Sequence, residues 1–352
     1  MKRELLGYLA CPQCWGAFEL APLAGQGSET EAGFLTCRDC RRLYPIIDGV
    51  PRLVPDAVID HYPFCEQHRH EIPPEIWNHN FTPENLAAAR RMLRHQKRTQ
   101  ASFSMEWGFQ GGGERTWGYA PEERLQHILQ RSLEMSPADC HGKIILDAGC
   151  GNGLLTGLLG EHFATAIGVD LGSSVLEAHR RNTRPNVHFV QGDLMHPPLR
   201  PTCIDVLISL GVLHHTPNTE LAFSCLTPLV APGGRVYVWL YKPEPDLHHQ
   251  AMLTLREGFK HLPLGLSATV FKLTLVPAAL LKRRFLNAVR KTKIQEQSAQ
   301  EQLVHFMDGL TCPYRFEHTA EEAEVWFRKR GFTNIHVPVS EHLGFGIYGD
   351  RS

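Results

Sequence analysis

Two groups of residues in this 352-residue chain have the types and spacing to do chemistry. The first is the turn Asp147-x-Gly149-x-Gly151-x-Gly153, which follows the apolar run Ile144-Ile145-Leu146. Glycines at such a turn let the backbone approach a ligand closely and aim amides at an anionic group. Asp170 closes the next apolar run, Ala166 to Val169, where a carboxylate can accept from both hydroxyls of a ribose. Further on, Asp193 and the pair His214-His215 follow later apolar runs, and an imidazole there can take a proton near neutral pH. The second group is Cys11, Cys14, Cys37 and Cys40, two Cys-x-x-Cys pairs that can converge on a tetrahedral Zn²⁺. Four sulfur ligands leave no position for water, so this metal would be structural.

The elements that must hold these residues are legible in the apolar periodicity. Ile144 to Leu146 suits a strand buried on both faces, and Leu154, Leu155, Leu158 and Leu159 then mark one face of a helix. Ala166–Val169, Val187–Val190, Ile204–Ser209 and Arg235–Tyr241 read as the following strands. This is the order of an open α/β sheet, which binds ligands beyond the carboxyl ends of its strands. A dinucleotide fingerprint in this register would need glycine where Leu154 stands. Pro121 to Met135 is expected to form one amphipathic helix ahead of the first core strand. A capping box at Thr319-x-x-Glu322 opens a late helix that Gly331 ends, with Phe327 packed inward. Phe332–Val339 and Phe345–Tyr348 supply the last two strands.

From Lys143 to about Tyr241 the order and wording of these motifs resemble the class I S-adenosylmethionine methyltransferases, in particular the type 11 family. That resemblance implies a Rossmann-like, seven-stranded α/β sheet closed by an antiparallel pair. It implies a cofactor site made of Asp147, Gly149, Cys150, Gly151, Asn152, Gly153, Asp170, Leu171, Asp193, Leu194, Leu210 and Gly211. In the family the acid at the place of Asp193 accepts from the adenine amino group. The loop from Leu210 to Pro217 lies where the sulfonium meets the acceptor, with His214 or His215 as the candidate base. It is not the Asn/Asp-Pro-Pro-Tyr signature of methyltransferases acting on amide or adenine nitrogens.

The words around the cysteines, Leu5-Leu6-x-Tyr8-Leu9-Ala10-Cys11-Pro12 and Tyr44 to Leu53, resemble the small zinc-ribbon activators of tRNA and release-factor methyltransferases. So small a segment folds poorly without a metal staple. Loss of a thiolate is therefore expected to unfold the ribbon and leave the cofactor strands largely intact.

The expected organisation is a zinc ribbon at 1–56, a helical and aromatic connector covering the cofactor mouth at 57–120, and a methyltransferase core at 121–242. A helical insert acting as a substrate lid follows at 243–311, and 312–352 completes the core. Within the connector a helix from Thr82 to about Thr99 carries a basic run, and Trp107, Trp117 and Tyr119 are candidate substrate-pocket residues. Leu262 to Leu281 is long and apolar enough to raise a membrane span, but Lys272 and Pro277 interrupt it, so a core-packed lid is expected and peripheral membrane contact is the alternative. The trailing Lys282-Arg283-Arg284 would suit an anionic headgroup or a membrane surface.

Composition narrows the function. A net charge of -1 provides no global basic field for nucleic acid. Six cysteines outside the paired set stand isolated, which fits a reducing, cytoplasmic compartment better than a disulfide framework. The expected activity is methyl transfer to a small molecule or a lipid or glycan precursor, with S-adenosylmethionine and structural Zn²⁺ as cofactors. RNA methylation aided by the ribbon is the alternative, and a non-catalytic cofactor-binding regulator the third reading.

Overall fold

The computed structural model describes residues 1–55, 57–84, 97–107, 119–290 and 298–352. Four strands come first, β1 (Phe18–Gln26), β2 (Glu29–Cys37), β3 (Leu43–Ile47) and β4 (Val50–Leu53), joined as an antiparallel series. Residues 97–107 form helix α1, and α2 spans Pro121–Gln126. The core then alternates: β5 (Ile144–Ala148), α3 (Leu154–Leu159), β6 (Thr165–Asp170), α4 (Ser174–Arg181), β7 (Val187–Gly192) and β8 (Ile204–Leu210). Helix α5 (Thr219–Leu226) leads to the long β9 (Val230–Tyr241). The insert supplies α6 (Leu247–Phe259), α7 (Leu264–Leu273), α8 (Leu275–Arg290) and α9 (Ala299–Thr311). The chain closes with α10 (Ala320–Lys329), β10 (Phe332–Ser340) and β11 (Gly344–Arg351).

The order β7-β6-β5-β8-β9-β11-β10 is the seven-stranded sheet implied by the methyltransferase resemblance, parallel except at β11, which runs antiparallel to both neighbours. Strand alternation divides its side chains between two layers. Leu146 and Ala148 of β5 enter one apolar cluster with Phe223 of α5 and Phe327 of α10. Ile145 enters the other with Leu155, Val175 and Phe189.

The sheet is wider than expected. β4 pairs in parallel with β7, matching Arg52 to Gln191 and Leu53 to Gly192, so the ribbon extends the core into an eleven-stranded sheet. An uncovered β7 edge would present unpaired backbone groups, and β4 covers its carboxyl end at Gln191 and Gly192. Buried Arg52 fixes the seam by donating from Nη1 to the Gln191 amide oxygen at 3.0 Å. The seam is also apolar: Leu5, Leu9 and Leu53 share a cluster with Val190, Leu194 and Leu199.

Three further expectations shift. Pro121 to Met135 is not one α-helix, because α2 gives way to a π-helical segment, His127–Ser132. There Leu133 donates to the Ile128 carbonyl five residues back, at 2.8 Å. The expected helix from Thr82 to Thr99 lies mostly outside the described residues, but α1 carries helix past Thr99. The lid is not core-packed throughout: Ala268, Phe271 and Val276 pack on Leu303, Met307 and Leu310 of α9, while Leu266, Leu273 and Leu281 stay exposed. Its helix breaks at Thr274, and Pro277 sits in the first turn of α8, where a missing amide is tolerated. The late capping box forms as expected, with Thr319 and Glu322 bonded reciprocally at 3.2 Å.

Candidate active site and metal centre

The turn after β5 wraps the end of β6. Asp170 accepts from the Gly151 amide at 2.9 Å and from the Gly172 amide at 2.7 Å, one on each carboxylate oxygen. Gly151 has φ +55, and a Cβ there would meet the Trp107 indole at 2.4 Å. Glycine is therefore required at 151 for the backbone angle and for room under α1. Asp147, next to last in β5, accepts from the Thr156 hydroxyl at 2.6 Å. Its burial pushes the carboxyl up to about 6, against the lowering effect of the Thr156 hydroxyl and Arg124.

These residues border a cavity of about 110 Å³ lined by Asp147, Gly149, Cys150, Asn152, Asp170, Leu171, Asp193, Leu194, Leu210, Gly211 and His215. Trp107 also faces it from α1. Gly151 and Gly153 are absent from the lining. The first shapes the turn beneath Trp107, and a Cβ on the second would strike Ala178 and Phe189. Asp193 accepts from the Met195 amide and pairs with His196 Nδ1, both at 2.9 Å. Tyr119 lies in a second, aromatic chamber of about 350 Å³ with His127, Tyr237, Trp239 and Tyr241. That chamber shares Arg124, Leu210, Gly211 and Asp308 with the first cavity, so the two adjoin. Trp117 lies outside the described residues.

The two histidines separate. His214 is fully buried and does not line the cavity; its Nδ1 accepts from the Tyr241 amide at 3.3 Å, and its ring lies 4.1 Å from that of Tyr241. Burial, with His215 next to it, holds its pKa well below the ordinary imidazole value. Of the two candidate bases, His214 is thus the one placed away from the cavity, packed against Tyr241. His215 does face the cavity. Its Nδ1 lies 2.8 Å from the Tyr314 carbonyl, which fixes a proton on that nitrogen, and its Nε2 lies 3.1 Å from Asp308 Oδ1. Asp308 also accepts from the Tyr241 hydroxyl. Burial would raise the Asp308 carboxyl, yet His215 and the Tyr241 hydroxyl bring it below the usual carboxylate value.

Three lining residues carried no sequence signal. Glu106 on α1 is buried in the cavity wall, and burial, then the nearby Asp308 and Asp170, hold its carboxyl well above the ordinary value. Arg124 on α2 has no hydrogen-bonded side-chain partner among the described residues and sits beside Asp147. Asp308 comes from α9 of the insert, far along the chain from the motifs it joins. Only folding brings these three to the strand ends.

The four ribbon cysteines converge as the spacing predicts. Cys11 and Cys40 sulfurs lie 3.6 Å apart, Cys14 and Cys37 sulfurs 3.5 Å apart, and all four fall within 4.8 Å of one another. Zn–S bonds of about 2.3 Å in a tetrahedron set sulfurs about 3.7–3.8 Å apart, so the cluster fits Zn²⁺. The two pairs use the same turn: Trp15 donates to the Cys11 carbonyl at 2.8 Å and Arg41 to the Cys37 carbonyl at 3.0 Å. Both following residues adopt positive φ, +64 and +57. The Tyr44 hydroxyl lies 3.5 Å from the Cys11 sulfur, in position to donate to a metal-bound thiolate.

Residues 146–238 match the family model described as a methyltransferase domain, and residues 2–49 match the one described as Trm112p-like protein. Among curated relatives, the ubiquinone biosynthesis O-methyltransferase of Vibrio atlanticus is 29% identical over 32% of this chain and 48% of its own length. That of Photorhabdus laumondii is 32% identical over 32% of this chain and 47% of its own length. The chain thus spans about half the length of the curated relatives it matches. Among solved structures, magnesium protoporphyrin IX methyltransferase from Synechocystis aligns with TM-score 0.43 and 16% identity, covering 74% of this chain and 100% of that one. A Haloferax volcanii complex of the Trm112 activator and a putative methyltransferase aligns with TM-score 0.37 and 12% identity, covering 65% and 92%. The chain joins, in one sequence, a match to the methyltransferase-domain model and a match to the Trm112p-like model.

Proposed function

We propose that the chain is an S-adenosylmethionine-dependent methyltransferase acting on a small-molecule acceptor, in a reducing, cytoplasmic compartment where its ribbon cysteines persist as thiolates. The observation that carries this reading is the continuity of the glycine-turn cavity with the aromatic chamber through Leu210 and Gly211. One space suits a nucleoside and an amino-acid moiety, and the other suits an apolar acceptor next to it. The cofactor, when bound, supplies a methyl group on an electrophilic sulfonium. Asp170 would hold the ribose hydroxyls with the lone pairs left free by its two amides. Arg124 suits the cofactor's carboxylate, and Leu171, Asp193 and Leu194 the adenine end.

His215 is the base this arrangement favours. Its Nδ1 donates to the Tyr314 carbonyl, which leaves Nε2 to exchange a proton, and the His215–Asp308 pair, 3.1 Å apart, would take up the acceptor's proton together. A hydroxyl acceptor is the finer form of the proposal, supported by relatives named as O-methyltransferases. The RNA alternative keeps one observation in its favour, the Trm112p-like match. Incubation with labelled cofactor and either total RNA or a metabolite and lipid extract separates the readings. Label recovered in RNA alone would overturn the small-molecule proposal.

A further inference from the structure

The insert covers one apolar face and leaves another open. Phe271 and Val276 pack on α9, whereas Leu273 is 74% exposed, Leu281 65%, Phe285 66% and Val289 63%. With exposed Pro277 these residues recur at every fourth position. The helix ends of α7 and α8 meet at Thr274, whose amide donates to the Val270 carbonyl at 2.9 Å and whose carbonyl accepts from Ala278 at 3.2 Å, so the turn of the chain continues through the junction. The exposed residues form one slowly winding stripe. The segment Leu264–Asn287 reaches a mean hydropathy of 1.7, yet only 22% of that window is buried in the protein. A contiguous exposed stripe of this kind marks an interaction surface. Exposed Lys282 and Arg284 flank it on either side of Phe285 by helical spacing.

We propose that this face of α7 and α8 docks on an anionic lipid bilayer, with the helices lying in the plane of the interface. The stripe would enter the boundary of the acyl region while Lys282 and Arg284 meet lipid phosphates. The charge pattern selects this occupant. Two copies meeting across a two-fold axis would oppose basic edges, and a spanning helix would draw Lys272, Lys282 and Arg284 into hydrocarbon and strip Phe271 from α9. The same α9 that packs on α7 carries Asp308 into the acceptor chamber, so one helix connects the docking face to the chamber. Docking is independent of the methyl-transfer reading, because binding to vesicles requires no turnover.

The test is sedimentation of the purified full chain with vesicles of phosphatidylcholine alone and with vesicles in which phosphatidylglycerol replaces part of it. Binding is expected to the anionic vesicles only and to be released by high salt. Leu281→Glu combined with Phe285→Glu should abolish it, with far-UV circular dichroism and cofactor binding unchanged. Lys282→Glu and Arg284→Glu should each weaken it about fivefold or more. No binding, equal binding to both vesicles, or retention after alkaline carbonate extraction would overturn the proposal. So would a dimer that the Leu281→Glu, Phe285→Glu pair dissolves in the absence of vesicle binding.

Discussion

The Asp170 carboxylate receives the Gly151 amide at 2.9 Å, tying the end of β6 to the turn that follows β5. One side chain thereby serves two purposes. It shapes the backbone loop that a cofactor must approach, and it presents its remaining lone pairs to the cavity. Replacing Asp170 removes the scaffold of the turn together with any ribose contact. Asp170→Ala should therefore weaken S-adenosylmethionine binding by more than the roughly 1.5–3 kcal/mol of one hydrogen bond to a charged group. Asp170→Asn, which keeps one accepting oxygen, should fall between. Isothermal titration of the three proteins checks the order.

His215 and Asp308 should act at the chemical step. His215→Gln and Asp308→Asn are expected to lower kcat by about 10²–10⁴, the usual contribution of a positioned base, with cofactor affinity little changed. His214→Asn, by contrast, should appear as lost thermal stability. Single-turnover rates beside cofactor titrations separate these effects, and a large rate loss for His214→Asn at unchanged stability would contradict the assignment.

Glu106 is a buried acid whose carboxyl is raised by desolvation and by two neighbouring carboxylates. A sulfonium placed in the same cavity favours the carboxylate form. Cofactor binding at neutral pH should therefore release protons, and Glu106→Gln should reduce that release. Titration calorimetry in buffers of different ionisation enthalpy measures it directly.

Asp147 gives a pH dependence of stability. Its folded pKa, about 6, lies above the unfolded value of about 3.9, so the unfolded chain binds fewer protons between them. The sign is destabilising: the cofactor-free protein should lose about 2–3 kcal/mol from this group as pH rises from 4 through 6. Asp147→Asn should raise the melting temperature of the cofactor-free protein at pH 7.5, with the gain shrinking toward pH 4. An equal gain at both pH values would contradict it.

Zinc removal should reach further than the ribbon. The sequence favours a self-contained module, but β4 is hydrogen-bonded to β7 and Leu9 packs in one cluster with Leu199. Cys37→Ser is therefore expected to lower the stability of the whole fold, and to weaken cofactor binding through β7 and Asp193. Elemental analysis should find one zinc per chain in protein purified without chelator. Differential scanning calorimetry of the variant should show one shifted transition; loss of a small early transition with an unchanged main one would support a separate ribbon.

Much of the sheet was legible because buried parallel strands read as apolar runs, and three of them carry, at or beside their carboxyl ends, an acid that lines the cavity. Asp147, Asp170 and Asp193 are these acids. The cysteines were legible because metal geometry constrains local spacing. Glu106, Arg124 and Asp308 were not, since each reaches the cavity by tertiary packing of a helix whose own pattern records only which face is apolar. His214 and His215 show the limit within one motif. Adjacent residues on a short 3₁₀ turn point to different sides, and the sequence holds no signal for which faces the cavity. The β4–β7 seam was hidden for a related reason: strand partners are chosen by edges that only the folded sheet exposes.

The most direct test of the central claim is calorimetric titration of the zinc-loaded chain with S-adenosylmethionine and, separately, with a nicotinamide dinucleotide. Saturable one-to-one binding of S-adenosylmethionine that Asp170→Ala weakens is expected, with no binding of the dinucleotide. Tight dinucleotide binding, or S-adenosylmethionine binding indifferent to Asp170→Ala, would contradict it.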